Sequence, residues 1–290
     1  MLKYRLISGC LMAAALVLGA NYMPAVGIWL LLLAVSAVGQ WEFYSMLRMA
    51  GIPSFRVVGV ICGTALISAT YWTIGRDPAR LANCYQWENI VLMATLIAVF
   101  VRQFPQKHND KPLETIGCTL LGIWYVPYLL NFFTRLIFSW DPSMGQGVGT
   151  TGRMLLLYLV VIVKISDVGA YFTGTLIGRH KLFPRISPGK TWEGFFGGMA
   201  VATVASILFY LFTDGRFGLI LMRRMDAVFL GVLLSVVGVV GDLFESLLKR
   251  ASGMKDSGRA IPGMGGALDV IDSLLFGAPI LYAYARFILP

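Results

Sequence analysis

Nine charged side chains crowd into the stretch Gly241 to Ser273, directly after the apolar run VFLGVLLSVVGVV: Asp242, Glu245, Lys249, Arg250, Lys255, Asp256, Arg259, Asp269 and Asp272. Only 13% of the chain is charged, so this density calls for a chemical reason. On a helix, Asp242 and Glu245 share a face, with Lys249 one turn further along it. Beyond a glycine-rich loop, Asp269 and Asp272 repeat the same three-residue spacing. Two such pairs on adjacent helices would present hard oxygen donors at one depth, the set that Mg²⁺ prefers together with phosphate. Lys249, Arg250 and Lys255 would then neutralise the rest of a polyphosphate.

A second basic stretch, GRHKLFPRISPGKTWEG, runs from Gly178 to Gly194. It contains GKT, but a phosphate-binding G-x-x-x-x-G-K-[ST] loop needs glycine where this chain has Pro184. Ser187 followed by Pro188 predicts an N-cap and a proline in the first helical turn. Such a helix start, with Lys190 and Thr191 beside it, is suited to an anion. GVGTTG at Gly147 to Gly152 formally fits G-x-G-x-x-G, yet it opens an apolar stretch and is read as a loop.

These residues must be held by membrane helices. The chain of 290 residues is 57% hydrophobic with a mean hydropathy of +0.73, far above soluble composition. A span takes about 20 helical residues, and apolar windows of that order fall at about 6–22, 25–46, 57–75, 88–104, 113–138, 154–178, 192–213, 226–248 and 268–288. The expectation is an all-α polytopic integral membrane protein of about nine transmembrane helices. Its N-terminal spans occupy 1–150, and a catalytic part of about four spans occupies 151–290. The first window, with LISGC ending at Cys10, is read as a retained span, because the apolar stretch before Cys10 is too short for a cleaved leader. Lys164 and Asp167 lie well inside the sixth window, where ionisable side chains mark a polar cavity and find a partner. Asp167 is expected at the same site as the later carboxylates.

Fifteen Lys and Arg fall on the N-terminal side of the alternating spans against seven on the other, which orients both motif loops toward the cytoplasm. The four cysteines form no C-x-x-C pair, and the two histidines are too few for a metal site or a Ser-His-Asp hydrolase. The net charge of +9 is assigned to the anionic leaflet and cytosolic polyanions, with no nucleic-acid partner expected. A transporter remains the rival from another class, although residues 1–150 hold no second copy of the carboxylate pattern that an inverted repeat would bring.

SDVGAY, ISPGKTWEG, GDLFESLLKRASGMKDSG and PGMGGALDVIDS, four ordered blocks over about 154–290, resemble the signature of the phosphatidate cytidylyltransferase (CDP-diacylglycerol synthase) family. The resemblance implies a Mg²⁺-dependent reaction of CTP with phosphatidic acid at the inner membrane, giving CDP-diacylglycerol and pyrophosphate. On that reading Asp242 and Asp269 hold the metal. Lys249, Arg250 and Lys255 hold phosphates of the nucleotide, and Ser187, Lys190 and Thr191 cradle the other phosphate. Glu245, Asp256, Asp167 and Glu193 orient these groups. Three departures stand out: Met264 where the family usually has histidine, Val270 where it has arginine, and Val168 where threonine is common. They leave room for altered lipid preference, lower activity, or a residue elsewhere, such as Arg259, in the arginine's role; a separate rival keeps the CTP chemistry but takes a polyprenol or an ether lipid as acceptor. The first five spans are assigned to lipid entry or to a homodimer.

Overall fold

The computed structural model describes residues 19, 23–75, 78–106, 109–141, 149–254, 257–258 and 265–290. Within them, eight helices are long and apolar enough to cross a bilayer. We number them α1 (Ala25–Met49), α2 (Arg56–Ile74), α3 (Leu81–Gln103), α4 (Pro112–Phe138), α5 (Thr150–Ile177), α6 (Trp192–Thr213), α7 (Arg224–Ala251) and α8 (Leu268–Phe287). Each coincides with a predicted window. The window at 6–22 lies, apart from Gly19, outside the described residues.

Helix α3 begins seven residues before its apolar window. Asn83, Gln86 and Glu88 dilute the hydropathy there, but Glu88 is buried and neutralised by the guanidinium of Arg135. Glu88 also accepts hydrogen bonds from Thr70 and from Asn131 at 2.9 Å. The Arg135 guanidinium lies 4.7 and 4.8 Å from the rings of Tyr85 and Phe132, with Tyr282 beyond. This cluster joins α2, α3, α4 and α8. Helix α4 takes one π-helical turn at Trp124–Tyr128, around Pro127, which has no N–H to donate.

Helices α5, α6, α7 and α8 form the part that holds the predicted motifs. Small residues let α5 and α6 approach closely, as membrane helices require in the absence of a hydrophobic drive between them; a Cβ on Gly198 would stand 2.8 Å from the carbonyl of Ser166. Tyr158, Leu159, Ile162, Leu230, Leu234, Leu274 and Leu281 fill the centre and are buried. Contacts also cross to the first four helices, where Tyr125 packs edge-on against Phe244 at 4.9 Å.

The predicted helix start at Ser187 is corrected. Ser187–Thr191 is a strand (β2), paired antiparallel with Lys181–Phe183 (β1). That pairing holds 187–191 extended, so helical geometry starts only at Trp192, after the hydrogen bond from its N–H to the His180 carbonyl. The true N-cap is Thr191, whose Oγ1 accepts from Gly194 N–H at 3.1 Å. Pro188 serves the strand, because its fixed φ suits extended backbone too. A second hairpin, β3 (Arg216–Phe217) with β4 (Ile220–Leu221), closes the opposite end of α6.

Candidate active site

The last turns of α7 and the first turns of α8 bring three carboxylates together: Asp242, Glu245 and Asp272 each offer an oxygen within 4.8 Å of the others. Close helix approach makes this possible. A Cβ on Gly241 would stand 2.5 Å from the Asp272 carbonyl, so only glycine lets α7 come this near to α8. Glu245 is fully buried, and its Oε1 has no hydrogen-bond partner.

Ammonium groups surround the carboxylates. Lys249 Nζ donates to Glu245 Oε2 at 2.9 Å and to Asp269 Oδ1 at 2.7 Å. Lys190, carried in by the hairpin, lies 2.7 Å from Asp242. From α5, Lys164 donates to Ser273 Oγ and to the Val270 carbonyl, both at 3.1 Å, and stands 3.6 Å from Asp167. Five carboxylates (Asp167, Asp242, Glu245, Asp269, Asp272) thus face three ammonium groups, which leaves two formal negative charges among the described residues.

The carboxylates nearest Asp242 are thus Glu245 and Asp272, while the predicted partner Asp269 takes other contacts. Asp269 is not in the carboxylate cluster; Asp272 is. Both lie on one face of α8, but Asp269 stands in its first turn, beside the incoming loop. There its Oδ2 accepts from Gly266 N–H at 2.7 Å, from Ser257 N–H at 2.9 Å and from Ser257 Oγ at 2.8 Å. Asp269 holds the loop and Lys249. Asp272, one turn deeper, meets α7.

Among the other predicted residues, Arg250 donates to the Ile186 carbonyl at 3.3 Å and so ties α7 to the hairpin. Glu193 turns away from the carboxylates; it accepts from the backbone of Arg179 and His180 and contacts the His180 ring at 2.6 Å. Thr191 is occupied as the N-cap, and Ser187 begins β2. Asp167 is reached through Lys164 rather than by joining the cluster. Lys255, Asp256, Arg259 and Met264 lie outside the described residues.

Sequence reasoning missed Glu42. This buried side chain of α1 accepts from the N–H groups of Ala267 at 3.0 Å and Leu268 at 2.9 Å, and from Ser257 Oγ at 3.4 Å. It caps the N-terminus of α8 from a helix more than 200 residues away in sequence and grips the same Ser257 that binds Asp269. The available signal was an acidic residue inside an apolar window, which rarely occurs without a role. Glu42→Ala leaves the Ala267 and Leu268 N–H groups without their acceptor, while the Ser257 hydroxyl keeps Asp269. It should lower stability by about 1–2 kcal/mol, seen as a lower midpoint of thermal unfolding, and reduce turnover by loosening Asp269. Glu42→Gln, which keeps one acceptor oxygen, should fall between. Unchanged stability in Glu42→Ala would contradict this capping role.

The model of the cytidylyltransferase family matches residues 3–288. The chain belongs to that family. Over the whole of both chains it is 31% identical to the phosphatidate cytidylyltransferase of Haemophilus influenzae. It is 43% identical over 250 residues to the protein of that name from Staphylococcus haemolyticus, covering 86% of this chain and 85% of the other. It is also 38% identical over 269 residues to the uncharacterized protein YnbB of Escherichia coli, covering 89% and 85%. As a cytidylyltransferase whose described residues include eight helices long and apolar enough to cross a bilayer, the chain is a membrane-bound nucleotidyltransferase.

Proposed function

We propose that this cytidylyltransferase joins CTP to phosphatidic acid, giving CDP-diacylglycerol and pyrophosphate, at the cytoplasmic edge of the inner membrane. The observation that carries the reading is the convergence of Asp242, Glu245 and Asp272, with Lys164, Lys190 and Lys249 around them, at the ends of adjacent membrane helices. The names of the relatives from H. influenzae and S. haemolyticus support the choice of acceptor.

The residues fit a divalent cation. Three carboxylates supply hard oxygens, Glu245 Oε1 is an unpartnered buried acceptor, and two formal negative charges await balance. Asp242, Glu245 and Asp272 would hold Mg²⁺. When bound, the ion supplies charge neutralisation for phosphate oxygens.

A phosphatidate oxygen attacks the α-phosphorus of CTP, and the bond from that phosphorus to the oxygen of the leaving pyrophosphate breaks. A phosphate monoester is already mostly ionised at neutral pH, so the chain need not supply a strong base. Its task is positioning and charge placement. Lys249, fixed between Glu245 and Asp269, and Arg250, fixed on the hairpin, face the nucleotide's phosphates. Lys190 rests on Asp242 and is within reach of a phosphate that arrives there. The side chain of Val270 is buried and uncharged, and its carbonyl accepts from the Lys164 ammonium at 3.1 Å, which brings a positive charge to the first turns of α8.

Membrane vesicles test the activity and its sidedness together. Labelled CTP added outside inverted vesicles that contain phosphatidic acid should yield lipid-extractable cytidine, and right-side-out vesicles should give none. Absence of lipid-linked cytidine from both preparations with phosphatidic acid as acceptor would sink the proposal, and product only with polyprenyl phosphate or an ether lipid would reassign the acceptor. Product only from right-side-out vesicles would reverse the orientation.

A further inference from the structure

A cavity of about 770 Å³ lies away from the carboxylates, between the start of α2 and the junction of α3 with α4. Its position along the membrane normal follows from alternation. The ends of α1, α3, α5 and α7 share one edge of the bilayer, so this cavity opens on the same edge as the carboxylate cluster. Among the described residues, two guanidinium groups line it, from Arg56 and Arg102, and no acidic residue does. Arg56 stacks on the ring of Trp41, and Arg102 lies 5.4 Å above the ring of Phe55. Among the described residues neither has a carboxylate partner, and Arg56 Nε is buried without a hydrogen bond.

Three further features fit an anion with a hydrocarbon tail. The first turn of α2, residues 56–58, lines the cavity, and no side chain caps it, so its free N–H groups add to the positive field. Phe55 is pinned by its N–H to Thr119 Oγ1 at 2.9 Å, which fixes that helix start in place. Beside the opening, Val57 is 64% exposed and Leu113 83% exposed, as lipid-facing residues are. Two arginines with no carboxylate partner among the described residues, Arg56 stacked on Trp41 and Arg102 held by the side-chain oxygen of Gln106, an uncapped helix start and an adjoining apolar flank match the phosphate of a phospholipid whose acyl chains lie along α2 and α4.

We infer that the Arg56–Arg102 cavity binds the headgroup of an anionic phospholipid without reacting it, as a site separate from the carboxylate cluster. The inference does not depend on which acceptor the enzyme uses. Phosphatidylglycerol is a suitable probe, because its phosphate is a diester and is not expected to accept a cytidylyl group.

Detergent-solubilised full-length protein is titrated with short-chain phosphatidylglycerol, phosphatidylcholine of the same chains, or inorganic phosphate, and bound molecules are counted by native mass spectrometry. With about a fivefold gain per cation near an anionic headgroup, phosphatidylglycerol should bind about 30-fold more tightly than phosphatidylcholine. Arg56→Gln with Arg102→Gln should remove that preference, and the double lysine variant should keep most of it. Undiminished preference in the double glutamine variant overturns the inference. Displacement of the lipid by inorganic phosphate alone overturns the lipid assignment. If the glutamine variant does not fold, a photoactivatable phosphatidylglycerol on the wild-type chain decides. Crosslinks within 53–58 or 102–115 support the site, and crosslinks confined elsewhere refute it.

Discussion

Asp242→Asn and Asp272→Asn each lower turnover of CTP by about 10²–10³-fold, the effect of removing a group that places charge at the reacting phosphates. Both carboxylates stand within 4.8 Å of Glu245, and an amide keeps the shape while losing the charge. Asp269→Asn should behave differently. Its oxygens are engaged by Lys249, Ser257 and Gly266, so the loss comes through a displaced Lys249 and loop, and about 10–100-fold is expected. The dependence on Mg²⁺ concentration separates the two cases. It should move to higher concentration in the first two variants and stay near wild type in Asp269→Asn. A shift in both Asp242→Asn and Asp269→Asn, with none in Asp272→Asn, would favour Asp242 and Asp269 as the metal ligands.

Arg135→Met is the second large effect, and it concerns stability instead of chemistry. Glu88 would keep its buried place among Thr70, Cys84 and Asn131 but lose the cation that neutralises it. Breaking one side of a buried pair costs about 3–5 kcal/mol. Denaturant unfolding in micelles should show that loss, and the fraction still folded should turn over CTP near the wild-type rate. Adding Glu88→Gln removes the stranded charge and should recover most of the stability. If the double variant is no more stable than Arg135→Met, the pair does not act as the geometry indicates.

The sequence carried the helices well because a bilayer imposes one simple demand, an apolar run of sufficient length. At α3 it found the span but set its start at 88 instead of 81, because Asn83 and Gln86 dilute the hydropathy of the first turns. The charges of the site were legible from the i, i+3 spacing, and Lys164 from its cost inside a span. Their division of labour was not. Spacing puts Asp269 and Asp272 on one face, but free N–H groups of the incoming loop capture the carboxylate in the first turn and leave the deeper one for α7. The hairpin at 181–191 was misread because a serine before a proline suits either a helix start or a strand, and the pairing partner decides. Glu42 lay furthest from reach, since its role exists only where α1 meets the start of α8.

The central claim is that the ends of α7 and α8 form a cation site from Asp242, Glu245 and Asp272. Mn²⁺ titrated into the purified wild-type chain without nucleotide, followed by electron paramagnetic resonance, tests it directly. A bound Mn²⁺ signal that Mg²⁺ displaces is expected, with affinity at least about tenfold weaker in the Asp242→Asn, Asp272→Asn double variant. Equal Mn²⁺ affinity in wild type and double variant would contradict it.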